Sequence, residues 1–288
     1  QKARELAHDL SCQAIPVDDI LYDIDAIYIP YPPAYHFAWI KRALQAGVHV
    51  LCEKPLAMNT QELNEIYALA QNKKLVVLEN YMFLHHNQHQ HVQTLLSQIG
   101  RIRSFRAAFA FPPFPDPNNI RYHRALGGGA LLDCSGYPIQ AALMYLGLDL
   151  RVESSFLHKR EAKDEGHIDI FGDVTLRNPE GIPAHLHFGF DNAYQCIYEI
   201  HGSKGIIRVP KAYTPRPNVE TMIELYSQQT QHIKTPAEDH FYTILQHFRS
   251  LITSGNGILH RDWQRTYHAA RIQEEIRRGP SNLTILPQ

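Results

Sequence analysis

The tripeptide Glu53-Lys54-Pro55 directly follows an apolar run, Val48-His49-Val50-Leu51-Cys52, that reads as a buried strand. Open α/β sheets bind their ligands in the crevice beyond the carboxyl ends of the strands. Lys54 therefore stands either at that functional edge or as a solvated loop lysine. The stretch Pro30-Tyr31-Pro32-Pro33-Ala34-Tyr35-His36 follows the preceding strand, and the two loops lie side by side if their strands pair. A dinucleotide in such a crevice calls for a G-x-G-x-x-G turn. None occurs: the one glycine cluster, Gly127-Gly128-Gly129, comes later and follows no first strand of a βαβ unit. Taken alone, that absence argues against a dinucleotide. A metal is another reading, because His85, His86, His89 and His91 crowd together and His85 and His89 share a helix face if the segment is helical. A zinc site needs further ligands; no nearby cysteine or spaced carboxylate supplies them, so no metal is expected.

The elements that must position these residues alternate in type. Residues 24–30 form an apolar run ended by Pro30. Residues 34–46 follow at helical period, with Phe37, Ile40, Ala43 and Leu44 on one face, and stop at Gly47. The strand at 48–52 comes next. Asn59 or Thr60 caps a helix reaching about residue 71, and residues 75–79 make a third strand. Continuous apolar strands separated by helices imply a parallel sheet covered on both faces. Beyond residue 100 the pattern changes. A strand at 104–111 enters the proline-rich loop 112–117, and Gly127-Gly128-Gly129 opens a helical stretch through residue 146. Strand candidates at 151–159, 168–176, 184–190, 194–201, 205–209 and 222–226, with turn residues between them, imply an open, mostly antiparallel sheet. Residues 239–253 and 262–278 read as two helices. The fold class is thus α/β plus α+β. Residues 1–100 read as a doubly wound α/β domain with a parallel sheet. Residues 101–288 read as an α+β domain, its last helices placed to pack back on the first.

Composition narrows the function. Lys and Arg number 28 against 29 Asp and Glu, a formal net charge of −1. Polyanion-binding proteins usually carry a basic excess, so no nucleic-acid partner is expected. Hydrophobic residues at 44% and charged residues at 20% are ordinary for a globular chain and unlike a disordered one. No apolar run approaches the roughly 18–20 residues of a membrane span, so no membrane partner is expected. Cys12, Cys52, Cys134 and Cys196 are far apart and fit reduced thiols in the cytoplasm.

The order of strand, proline turn with His36, helix, strand, Glu53-Lys54-Pro55, helix, strand and Glu79-Asn80-Tyr81 resembles the Gfo/Idh/MocA oxidoreductase family. The resemblance spans the chain. Its motifs are short, and their order and spacing carry the specificity. Within the family, three stretches resemble the sugar-nucleotide 3-ketoreductases. They are Glu79-Asn80-Tyr81-Met82-Phe83-Leu84-His85-His86, Phe111-Pro112-Pro113-Phe114-Pro115 followed by Ile120-Arg121-Tyr122, and Gly127-Gly128-Gly129-Ala130-Leu131-Leu132-Asp133-Cys134-Ser135-Gly136-Tyr137-Pro138. This likeness implies a Rossmann domain, of which residues 1–100 are the later part, followed by a mostly antiparallel sheet domain, residues 101–288, for substrate and oligomerisation. It also implies reduction of the C3 ketone of a nucleotide-linked keto-deoxysugar by NADP or NAD, NADPH being favoured. The family's glycine turn then lies about 40–50 residues upstream, judged from the length of a βαβ unit. Gln1 to Leu10 would be the end of the second Rossmann helix, the chain an N-terminally truncated piece, and cofactor binding by this piece very weak.

The resemblance also assigns residues. Hydride delivery to a ketone builds negative charge on oxygen, which needs a proton donor and a cation beside it. Tyr137 is the implied acid and Lys54 the implied cation; without the family, Tyr137 is a buried helix tyrosine. Asp133, four residues before Tyr137 on the same helix face, either binds a sugar hydroxyl or caps or pairs. Pro30, Tyr31, His36, Glu53, Lys54, Pro55, Glu79 and Asn80 are the implied cofactor contacts, and His36 read alone is a helix-start residue. Arg121, always charged, is a better partner for the substrate's diphosphate than the neighbouring pair His85 and His86. Arg121, Tyr122, Asp133 and His86 complete the substrate side. Two other activities fit the same fold: a dehydrogenase of free sugars or cyclic diols, and a non-catalytic cofactor-sensing regulator. The outer face of the open sheet needs cover, which implies a homodimer or homotetramer.

Overall fold

The computed structural model describes residues 2–17, 19–255, 260–279 and 284–285. After helix α1 (Lys2–Asp9), three parallel strands, β1 (Ala26–Ile29), β2 (His49–Cys52) and β3 (Val77–Glu79), lie side by side in chain order. Ile29 is opposite Cys52, and Cys52 opposite Glu79. This register brings Pro30, Glu53 and Asn80 together as the next row, at the carboxyl edge.

Helix α2 (Pro33–Gln45) starts on a proline, whose fixed φ and missing N–H cost nothing in a first turn. Helix α3 (Thr60–Lys73) is set by its entry. The Asn59 side chain accepts from Glu62 N at 2.8 Å, and the Glu62 carboxylate accepts from Met58 N at 2.9 Å. Their apolar stripes, Ile40, Ala43, Leu44, Leu63 and Ile66, join Ile29, Val50 and Cys52 in one core. Strand side chains alternate between faces, so Leu51 points the other way. There it meets Val76, Leu78 and Ile244, Phe248 and Leu251 of α7 (His240–Thr253). The parallel sheet thus gains its second cover from the far end of the chain.

The larger sheet has nine strands in the order β11-β10-β9-β8-β4-β7-β6-β5-β12. They are β4 (Ile102–Ala110), β5 (Arg151–Glu161), β6 (His167–Arg177), β7 (Pro183–Gly189), β8 (Gln195–Gly202), β9 (Ile206–Val209), β10 (Thr221–Tyr226), β11 (Thr230–Thr235) and β12 (Thr284–Ile285). All neighbours are antiparallel except β4 with β7 and β5 with β12. Helix α4 (Asn87–Leu95) lies near β10 and β11. Helix α8 (His260–Arg278) serves both sheets. Trp263 and Ala270 lie against the core of the parallel sheet, while Ala269, Ile272 and Ile276 enter the core of the large one. Glu274 adds a polar tie by accepting from Thr60 N at 2.6 Å.

Three local features differ from the sequence reading. The helical stretch opened by the glycines is two helices, α5 (Ala130–Asp133) and α6 (Gly136–Leu146). At the break, Ser135 Oγ donates to Leu131 O at 2.5 Å, satisfying a carbonyl within the interrupted stretch. Asp133 and Tyr137 therefore do not lie on one continuous helix. Strand β11 is polar and occupies a sheet edge, where a largely solvated strand needs no apolar alternation. Strand β12 pairs in parallel with His158 and Lys159 of β5 and is too short to carry a pattern. No helix among the described residues is long and apolar enough to cross a membrane.

Candidate active site

Lys54 leaves the end of β2 in a loop whose Lys54–Pro55 peptide is cis. Its Nζ donates to Asp133 Oδ1 at 2.7 Å and to the Asp133 carbonyl at 2.8 Å. Arg121 Nε donates to Asp133 Oδ2 at 2.5 Å. The Lys54 and Asp133 side chains are only 12% and 15% exposed, so this is a mostly buried pair bordered by a second cation. Burial alone raises a carboxyl pKa, but Lys54 and Arg121 outweigh it and hold Asp133 at about 2. Burial would lower Lys54; the Asp133 carboxylate reverses that and keeps the ammonium charged.

Tyr137 lies beside this pair, with Lys54 Nζ 5.3 Å from its ring centroid. Phe109, Tyr81, Phe83 and Tyr213 surround the ring at centroid distances of 4.3, 5.2, 5.7 and 5.7 Å. Burial pushes its hydroxyl up to about 12, with Lys54 pulling against that rise. Gly136 is required by this packing: a Cβ there would stand 1.7 Å from the Tyr81 hydroxyl oxygen.

The three strand ends form a second group. Glu53 Oε1 accepts from Tyr28 OH at 2.5 Å and from Asn80 Nδ2 at 2.6 Å. Asn80 Oδ1 is buried without a partner among the described residues. Pro30 and the half-exposed Tyr31 border this row, and His36 lies wholly buried behind it. His36 Nδ1 is 2.7 Å from Pro55 O and its Nε2 is 2.6 Å from Tyr31 O, so it ties the two loops together. Burial lowers its pKa, while the two carbonyls favour a hydrogen on each nitrogen. Glu79 accepts from Leu56 N at 2.9 Å and from Thr266 Oγ1 at 2.9 Å, one oxygen to each.

The structure thus brings Lys54, Asp133, Arg121 and Tyr137 together, with Glu53, Pro55, Asn80 and His36 on the adjoining strand ends. Two expected residues lie elsewhere. Tyr122 is buried in an aromatic wall with Phe114 and Phe190, and its hydroxyl accepts from Phe114 N at 3.0 Å. His86 accepts from Gln88 N at the start of α4 and faces Glu238 and His240. The histidine run also diverges. His85 meets the His247 ring at 4.5 Å, and His89 Nδ1 is 2.9 Å from Tyr198 OH. Phe109, Tyr213 and Thr266 were not marked by sequence, because each reaches the site from a remote segment without a local motif; Tyr81 stood in the Glu79-Asn80-Tyr81 motif with no role assigned.

The sequence and the fold have counterparts in known proteins. A profile described as "Oxidoreductase family, NAD-binding Rossmann fold" matches residues 1–81, and "GFO/IDH/MocA C-terminal domain" matches residues 89–208. The chain belongs to the Gfo/Idh/MocA family of NAD(P)-dependent oxidoreductases. It is 40% identical to a dTDP-3,4-didehydro-2,6-dideoxy-alpha-D-glucose 3-reductase of Saccharopolyspora spinosa, over 89% of this chain and 78% of that protein. It is 36% identical to the enzyme of the same name from Actinomadura kijaniata, over 91% and 78%. A solved 3-ketoreductase from Actinomadura kijaniata, in complex with NADP and TDP-benzene, superposes with a TM-score of 0.92 at 34% identity, covering 99% of this chain and 88% of that one. The cofactor fits the strand-end row: the orphaned, buried Asn80 oxygen is an acceptor suited to a carboxamide N–H at the carboxyl edge of a dinucleotide-binding sheet.

Proposed function

We propose that this protein reduces the C3 ketone of a nucleotide-linked keto-deoxysugar, using NADPH in preference to NADH. The observation that carries the reading is the Lys54 ammonium, pinned by Asp133 beside the Tyr137 ring at the carboxyl edge of a dinucleotide-binding sheet. The names of the relatives support the substrate class, and the NADP complex of one of them supports the choice of cofactor.

The cofactor, when bound, supplies the hydride to the ketone carbon. Lys54 meets the negative charge that develops on the ketone oxygen, and Tyr137 donates the proton that completes the alcohol. A hydroxyl held at about 12 by burial keeps its proton at neutral pH, as an acid must, and gives it up to a strongly basic alkoxide. Asp133 holds the ammonium in place and keeps it charged; Arg121 neutralises the second carboxylate oxygen and, as a permanent cation beside the site, would meet the substrate's diphosphate. Pro30, Tyr31, Glu53, Pro55 and Asn80 border the cofactor, with His36 fixing the loops behind them. A substrate panel tests the assignment. Turnover of dTDP-3,4-didehydro-2,6-dideoxy-α-D-glucose with NADPH should exceed that of free aldoses and cyclic dihydrodiols by at least about 100-fold, as expected where polar recognition groups go unpaired. Preference for a free sugar or diol would overturn it.

The same reading makes the outer face of the large sheet a contact between two copies. Its cross-strand row Glu224, Arg208, Glu199, Arg106 alternates in sign, so it can complement itself about a two-fold axis. Light scattering should give a dimer or tetramer that Arg106→Glu weakens; a monomer at micromolar concentration contradicts it. Four cysteines without a disulfide suit the cytoplasm, the compartment we assign.

A further inference from the structure

We propose that Glu79 is a positioning residue for Lys54, acting through the backbone of the loop that carries the lysine. The inference rests on the reading of Lys54 given above. Three contacts support it. Glu79 Oε1 accepts from Leu56 N, two residues beyond Lys54, at 2.9 Å. Its Oε2 accepts from Thr266 Oγ1 on α8 at 2.9 Å, which anchors the carboxylate to a helix from the far end of the chain. On the other side of the same loop, His36 holds Pro55 O. The Pro55–Leu56 peptide, which directly follows the cis bond, is therefore held at both its C=O and its N–H, and the ammonium is held by Asp133. Both carboxylate oxygens of Glu79 are used within the protein, so its place in the site is to support the loop.

The groups around Glu79 define how it titrates. Lys54 and Glu53 act from the loop, Cys52 from β2, and Tyr81 from just beyond β3, while His36 lies across the loop. Helix α8 presents uncharged Thr266 and Gln273. Burial raises the Glu79 carboxyl from 4.5 to about 6, with the two hydrogen bonds and Lys54 opposing the rise. The folded state therefore favours the protonated form. That advantage is present below about 4.5 and is lost as pH climbs through about 6.

Three variants test the assignment in the intact protein, with NADPH and the dTDP-linked ketone as probes. Glu79→Ala removes both contacts and should lower kcat by about tenfold to a hundredfold, the range that misplacement of a reacting group produces. The wild type should show a change in kcat near pH 6, where Glu79 titrates; Glu79→Gln keeps an acceptor for Leu56 N, should recover most of the loss and should lack that change. Thr266→Val should lower kcat in the same direction by less. A ligand-free readout accompanies them: between pH 4.5 and 6, the thermal midpoint of the wild type should fall relative to Glu79→Gln. Wild-type kcat in Glu79→Ala, in a preparation where Lys54→Ala is inactive, would overturn the positioning role while leaving the Lys54 reading intact. An active Lys54→Ala would overturn the Lys54 reading instead. A midpoint difference that does not change with pH would refute the titration of Glu79.

Discussion

Replacing Lys54 by alanine should reduce ketone turnover by about a thousandfold while the protein stays folded. Electrostatic stabilisers aimed at developing charge are worth factors of roughly 10²–10³ each in water-excluded sites. In the proposed mechanism Lys54 serves twice, facing the nascent oxyanion and lying 5.3 Å from the ring centroid of Tyr137, the proposed acid. The stability cost should stay below the about 3–5 kcal/mol of a buried charge stripped of its partner. Arg121, whose Nε is 2.5 Å from Asp133 Oδ2, is untouched by the substitution, so the carboxylate should keep one cationic partner. Steady-state turnover together with urea denaturation checks both parts. A variant with near-normal kcat would remove Lys54 from the chemistry. A variant that fails to fold would show that Arg121 alone cannot hold the carboxylate.

Tyr137→Phe should lower kcat by about a hundredfold or more and leave KM for both substrates within a few fold. Loss of a positioned general acid typically costs factors of about 10²–10⁴. The substitution deletes only the hydroxyl, so the ring keeps its place among Phe109, Tyr81, Phe83 and Tyr213. The thermal midpoint should therefore change little. Removing a phenol that burial holds at about 12 should also leave no new titration between pH 6 and 9. Full turnover in this variant would transfer the proton to another donor, and Lys54, with an ammonium already at the site, is the one the geometry offers.

Much of this site could be read from sequence, for identifiable reasons. The Lys54 loop was visible because it directly follows a buried strand, but Glu-Lys-Pro alone left Lys54 either at the functional edge or as a solvated loop lysine, and the family resemblance chose between them. The parallel register that aligns Glu53 and Asn80 follows from the strand–helix order. Asp133 and Tyr137 depended on resemblance, since nothing local distinguishes one tyrosine among 15. Their spacing suggested one helix face; the break at Cys134 and Ser135 instead places them on two short helices that both reach Lys54. Glu79 was expected at the cofactor, because strand-end position says where the backbone goes and not which neighbour takes the carboxylate. Its partner Thr266 lies 187 residues away, a distance no local pattern spans. The aromatic residues around Tyr137 likewise come from three separate segments, Tyr81 and Phe83 just beyond β3, Phe109 on β4 and Tyr213 in a loop, and their convergence became visible only in the fold. Tyr122 and His86 carried chemistry by type, but burial and hydrogen bonds within the protein commit them to packing and capping.

Deuterium transfer tests the central claim most directly. NADPH labelled at the transferable C4 position, mixed with dTDP-3,4-didehydro-2,6-dideoxy-α-D-glucose and the intact protein, should yield a product carrying one deuterium at C3. The double variant Lys54→Ala, Tyr137→Phe should form that product at least about a thousandfold more slowly. Deuterium at another carbon, absence of transfer to the nucleotide sugar, or transfer undiminished in the double variant would contradict the account.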